Sequence, residues 1–125
     1  MSNIVVKKCR NCGATVEILK DCECDNCGIH CCGEPMAELI PNTSDGAVEK
    51  HKPEVKINGE LIEVSVNHVM EPEHYIEALI MVTGAHQIKK TLAPENEAKA
   101  IFPYVPGSVV YALCNKHGLW ETEIN

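Results

Sequence analysis

Between Leu61 and Val66 the chain alternates, with Ile62, Val64 and Val66 on one side and Leu61, Glu63 and Ser65 on the other. A period of two sends successive side chains to opposite faces of a strand, so this stretch predicts one buried and one wet face. Val55-Lys56-Ile57 precedes it across Asn58-Gly59. That dipeptide accepts the positive φ angles of a two-residue turn, and the pair predicts a hairpin. Further strands are predicted at Ile76–Thr83, His86–Leu92, Ala98–Phe102, Ser108–Cys114 and Leu119–Ile124, punctuated by Pro94, Pro103, Pro106, Gly84, Gly107 and Gly118. Ile76–Val82 is apolar enough to satisfy helical periodicity as well, but its shortness favours a strand. Short strands at this spacing, with few helix signals, predict an all-β architecture of the sandwich type. No internal repeat stands out.

The first part of the chain follows another pattern. Val16–Lys20 predicts a strand, and Gly13, Gly28 and Gly33 offer tight turns between cysteines. Seven of the eight cysteines fall between Cys9 and Cys32, while Cys114 stands alone. Pro41-Asn42-Thr43-Ser44-Asp45-Gly46 predicts a linker or exposed loop. Residues 1–37 are therefore expected to form a small Cys-rich domain and residues 38–125 a β-domain. A piece of about 35 residues cannot bury enough apolar surface alone and needs a metal or disulfides.

Composition narrows the partners. A net charge of −7 disfavours nucleic acid and anionic membrane surfaces. No apolar run approaches a membrane span and the first twelve residues do not read as a signal peptide, so a soluble, cytoplasmic protein is expected. In a reducing cytosol clustered cysteines usually mean metal, and the adjacent pair Cys31-Cys32 suits two thiolates aimed at one centre.

Cys9-x-x-Cys12 and Cys31-Cys32 offer four thiolates, which suits tetrahedral zinc or iron. Cys22, Cys24 and Cys27 exceed that count. They are spare thiols, ligands of an alternative site, or part of a polynuclear cluster. In the β-domain Cys114-x-x-His117 leaves a predicted strand into a turn, which lets thiolate and imidazole converge. His68 and His74 bracket a short loop, and His51 lies beside the linker. Thiolates are soft donors and imidazoles borderline ones, so the two halves should hold different metal environments, and two sites of unlike chemistry suggest electron transfer. A non-catalytic iron carrier or a zinc-stabilised binding module would use the same residue types. Trp120 is expected in the core or at a site wall.

These motifs carry a resemblance. Cys9-x-x-Cys12 with Cys31-Cys32-Gly33-Glu34-Pro35-Met36 looks like a desulforedoxin domain. Glu49-Lys50-His51, His68 with His74-Tyr75-Ile76, and Cys114-Asn115-x-His117-Gly118-x-Trp120 resemble the neelaredoxin-like catalytic domain of desulfoferrodoxins, the superoxide reductases. The resemblance spans nearly the whole chain, in the family's order. It implies an immunoglobulin-like β-sandwich whose non-haem iron is bound equatorially by His51, His68, His74 and His117 and axially by Cys114. It places Glu49 and Lys50 on a mobile loop near the open position. Cys9, Cys12, Cys31 and Cys32 match the ligands of a second, tetrahedral iron centre. The cysteines of Asp21–Cys27 depart from that pattern; methanoferrodoxins resemble the family in the body yet carry an iron–sulfur cluster. An Fe(Cys)4 centre is the favoured expectation for the head, with a [4Fe-4S] cluster or zinc as alternatives. His30 and His86 match no motif position. The resemblance further implies superoxide as substrate, a rubredoxin-like electron donor and a homodimer.

The implied chemistry suits these residues. Five ligands leave iron one open position, and a thiolate opposite it donates electron density along the bond axis. Glu49, a hard donor, suits iron(III). A Lys50 ammonium about 4 Å from superoxide is worth roughly 1 kcal/mol in water and about 4 near a protein surface. From Ala37 to Asn125, seven lysines against thirteen acidic residues leave −6, so a local cation must overcome a repulsive field.

Overall fold

The computed structural model describes residues 3–24 and 28–125. Two compact units divide the chain, Asn3–Leu39 and Ile40–Asn125. Among the described residues nearly all regular structure is β, with one four-residue helical turn.

In the first unit β1 (Val5–Lys8) is central, pairing antiparallel with β2 (Thr15–Ile18) on one side. A short hairpin follows, β3 (His30–Cys31) with β4 (Glu34–Pro35). Then β5 (Ala37–Glu38) pairs with the free side of β1. Lys7 Nζ holds Asp21 Oδ1 at 3.1 Å beyond the end of β2. The register His30↔Pro35, Cys31↔Glu34 leaves Cys32-Gly33 as the hairpin loop, with φ of 54° and 78°. Positive φ at both central residues is the type I′ pattern, which matches the right-handed twist of the strands. Gly13 also has positive φ, whereas Gly28 does not.

The second unit begins with a loop and α1 (Val48–His51), then β6 (Glu54–Asn58), β7 (Leu61–Ser65), β8 (Ile76–Val82) and β9 (Gln87–Thr91). It ends with β10 (Lys99–Pro103), β11 (Val109–Cys114) and β12 (Gly118–Glu123). One sheet runs β10-β7-β6 and the other β12-β11-β8-β9, all antiparallel. Ile62, Val64, Ala100 and Phe102 from the first share one core with Leu79, Met81, Val110, Ala112 and Trp120 from the second. Burying those inner faces supplies the main driving force, at about 25 cal/mol per Å² of apolar surface.

The expected alternation holds on β7, where Ile62 is fully buried and Leu61 is 48% exposed. The turn itself differs by one position. Asn58 pairs with Leu61, so the loop is Gly59-Glu60 rather than Asn58-Gly59. Gly59 has φ of +67° and Glu60 keeps negative φ, which is the II′ pattern with glycine first. The stretch 41–46 is a loop, as expected, but a pinned one. Asn42 donates through Nδ2 to the Glu121 carbonyl at 3.4 Å and accepts the Glu121 N–H at 2.9 Å, and its own N–H donates to Leu119 O at 3.0 Å.

Candidate metal centres

Five side chains converge at one end of the second unit. His51, His68, His74, His117 and Cys114 each offer a ligand atom, and all five atoms lie within 4.8 Å of one another. His51 closes α1 and is only 4% exposed. Its Nδ1 lies 2.8 Å from the Ala47 carbonyl, which can only accept, so Nδ1 carries the proton and Nε2 keeps its lone pair. That Nε2 faces His117 Nδ1 at 3.0 Å. His68 is fixed the same way: its Nδ1 donates to the Val69 carbonyl, and Nε2 lies 3.4 Å from Cys114 Sγ. His74 Nε2 is 3.2 Å from His117 Nδ1, which is 4.0 Å from Cys114 Sγ.

Strand geometry delivers the thiolate. Cys114 ends β11, where the pairing with β8 shifts register so that Leu113 faces Ala78 and Cys114 faces Ile76. Such irregularities re-aim side chains beside functional sites. The loop 115–117 turns back, and the His117 N–H donates to Cys114 Sγ at 3.4 Å. Gly118 re-enters β12 with φ of +76°, and a Cβ there would stand 2.3 Å from Ser44 Oγ. Gly46, at φ +148°, passes so close to the site that a Cβ would meet His51 Cε1 at 2.9 Å.

Donor chemistry tests whether a metal fits. Inward lone pairs on His51 and His68 sit beside further nitrogens and a sulfur, and a proton on one ring satisfies only one such contact. A single cation among the five atoms would satisfy all of them. Four borderline imidazoles and one soft thiolate suit iron, zinc or copper rather than calcium or magnesium. Burial pushes the His68 and His74 pKa values down, and neighbouring imidazoles push them further. Neutral rings are the form a metal takes.

In the first unit Cys9, Cys12, Cys31 and Cys32 likewise offer sulfurs within 4.8 Å of one another. Cys9 and Cys12 flank a tight knuckle in which the Gly13 N–H donates to Cys9 O at 3.1 Å. The N–H groups of Cys12 and Asn11 point at Cys9 Sγ, at 3.5 and 3.4 Å, and lower its pKa to about 6. The sulfurs of Cys12 and Cys9 push Cys31 up to about 12, and Cys12 also raises Cys32. Four crowded thiols resist ionising together, and a shared cation removes that conflict.

The nine residues expected as ligands thus form two separate clusters. Glu49 and Lys50 lie exposed on α1, in the turn that ends at His51, and are not part of either cluster. His86 sits in the β8–β9 turn and His30 on β3, outside both clusters. Cys22 is disulfide-bonded and Cys24 is exposed, and neither joins a cluster; Cys27 lies outside the described residues. Trp120 is both core and wall, stacked on His51 with its Nε1 donating to His117 O at 2.8 Å. The sequence reading missed the orienting carbonyls of Ala47 and Val69. The four-residue spacing of Ala47 and His51 carries no signal by itself, because one helical turn is too short to register as a period.

Comparison with known proteins agrees with this geometry. A family model described as Desulfoferrodoxin matches residues 43–123. The chain is 41% identical over 118 residues to a desulfoferrodoxin of Clostridium acetobutylicum, covering 92% of each. It is 40% identical over 122 residues to one of Nitratidesulfovibrio vulgaris, covering 94% of each. Its fold is similar to that of the superoxide reductase from Treponema pallidum, with a TM-score of 0.70, 24% identity, and 97% of this chain and 99% of that one covered. A superoxide reductase from Giardia intestinalis matches 59% of this chain and 95% of its own length, at 26% identity and a TM-score of 0.52.

Proposed function

The chain belongs to the desulfoferrodoxin family, and from that premise we propose that it is a superoxide reductase. The observation that carries this proposal is the convergence of His51, His68, His74, His117 and Cys114. Those five hold a non-haem iron. The similar chain from Giardia intestinalis is named a superoxide reductase, which supports superoxide as the substrate. The two sheets with their shared core support the immunoglobulin-like sandwich expected for residues 38–125.

Iron bound in this cluster supplies the one-electron chemistry by which superoxide, with one electron and two protons, becomes hydrogen peroxide. The protein does the rest. The Ala47 and Val69 carbonyls hold His51 and His68 as neutral rings aimed inward. Neutral imidazoles add no charge, so a divalent cation and one thiolate leave the site net positive toward an anion. Lys50, exposed on the turn that carries His51, draws superoxide in, and water organised near its ammonium delivers the protons. Glu49, exposed on the same turn, carries a hard carboxylate that would suit iron(III). Residues 1–37 act as a desulforedoxin-like domain in which Cys9, Cys12, Cys31 and Cys32 hold a second iron as Fe(Cys)4. A rubredoxin-like donor returns the electron, the protein works as a homodimer, and a reducing cytoplasm is the compartment that suits the free thiols of its two clusters.

The test is stoichiometric. Reduced protein given superoxide should yield one hydrogen peroxide per superoxide without dioxygen, and Cys114→Ser should lose the visible thiolate-to-iron band of the imidazole site. Dioxygen at a dismutase-like rate, or a colourless protein holding only zinc, would refute the proposal.

A further inference from the structure

We propose that Asn115 is the positioning residue for His74, a role that rests on the His4Cys cluster being a metal site. Asn115 sits between Cys114 and His117 in the loop joining β11 to β12. Its side chain spans the peptides on either side of His74. Oδ1 accepts the Tyr75 N–H at 3.0 Å and Nδ2 donates to the Glu73 carbonyl at 3.0 Å. The Asn115 backbone N–H adds a bond to Tyr75 O at 3.2 Å. An amide side chain thus acts toward this loop as a neighbouring strand would, offering one donor and one acceptor.

His74 itself exchanges N–H and C=O bonds with Glu71, both at 3.1 Å, across Pro72-Glu73. That small turn is exposed at Glu71, Pro72 and Glu73 and is a local closure only. Asn115 ties it across 40 positions to the very segment that carries Cys114 and His117. The His74 ring is therefore referenced to two other members of the cluster, and its Nε2 comes to rest 3.2 Å from His117 Nδ1. Aspartate keeps the acceptor and loses the donor, alanine loses both, and serine is too short to span both peptides.

The test uses the full chain loaded with zinc(II) and long-range 1H–15N spectra of the histidine rings, which report bound nitrogens one ring at a time. Asn115→Ala should release or broaden the His74 signal while His51, His68 and His117 stay bound. Zinc affinity at the imidazole site should fall about tenfold, the scale seen when partners that orient a ligand are lost. In the metal-free protein the Tyr75 amide should exchange faster in Asn115→Ala, but not in Asn96→Ala, which removes a comparable loop bond between Asn96 Oδ1 and the Ala93 N–H. A bound His74 with wild-type affinity would overturn the proposal. So would simultaneous loss of all four rings, which would mark Asn115 as a support of the whole site. If Asn115→Ala does not fold, Asn115→Asp should show a partial loss confined to His74, and an unaltered His74 there would overturn it equally. Should wild-type protein bind no zinc through these rings, the metal reading has failed at the first step, before any variant is compared, and the role of Asn115 falls with it.

Discussion

The indole of Trp120 lies over the imidazole of His51, centroids 5.0 Å apart and planes inclined by 23°. The same indole donates its N–H to His117 O. One core residue thus touches two members of the cluster, one through its ring face and the other through the main chain. Removing it in Trp120→Ala should cost about 3–5 kcal/mol in chemical denaturation, the range for deleting a large buried aromatic. Trp120→Phe keeps a ring against His51 and strands only the His117 carbonyl, so a loss of about 1 kcal/mol with iron retained is expected. Equal losses for the two variants would show that the stacking contributes nothing.

Lys50→Ala removes one of the two lysines that flank His51 in sequence. The second-order rate with superoxide should drop roughly fivefold at low ionic strength, equivalent to about 1 kcal/mol. The salt dependence should flatten as well, because the lost attraction is screenable. Stopped-flow or pulse-radiolysis rates at several salt concentrations check both effects.

Gly46→Ala brings a methyl group to 2.9 Å from His51 Cε1 at a φ of +148°. Either the loop or the ring must give way, at a cost of about 1–3 kcal/mol. Iron content after chelator challenge should fall, whereas Gly59→Ala, which meets nothing within 4 Å, should leave iron retention intact. Indistinguishable iron retention in the two variants would mean that the loop yields without disturbing the ring.

The Lys7–Asp21 pair makes the first unit sensitive to acid. The Lys7 ammonium, aided by the Cys22 N–H, holds the Asp21 carboxyl below the ordinary carboxylate range. A depressed folded pKa gives stability that is present above the unfolded value and lost as pH falls through the folded one. Asp21→Asn should therefore lower thermal stability near neutrality, and its difference from wild type should close below about pH 4. Melting curves across that range check this, and a difference that persists in acid would assign the effect to something other than ionisation.

The second unit was largely readable because its strands alternate or are punctuated by proline and glycine. The one-residue shift of the hairpin turn reflects a choice between two glycine-compatible turns, which Asn58-Gly59-Glu60 allows and strand pairing decides. Strand β1 was not readable: Val5 and Val6 adjoin and two lysines follow, so pairing on both sides, not pattern, makes it a strand. Helix α1 is one turn long, too short for any period to register. The ligand types were legible because cysteine and histidine announce their chemistry. The clamp by Asn115 was not, since a side chain meeting backbone 40 positions away depends on how two loops fold.

His51 and His117 meet although 66 positions separate them. During synthesis, then, the imidazole site stays open until His117 has cleared the ribosome and β11 has found β8. Metal insertion there must wait for that step, while the four-cysteine cluster, complete by Cys32, has its ligands in hand long before.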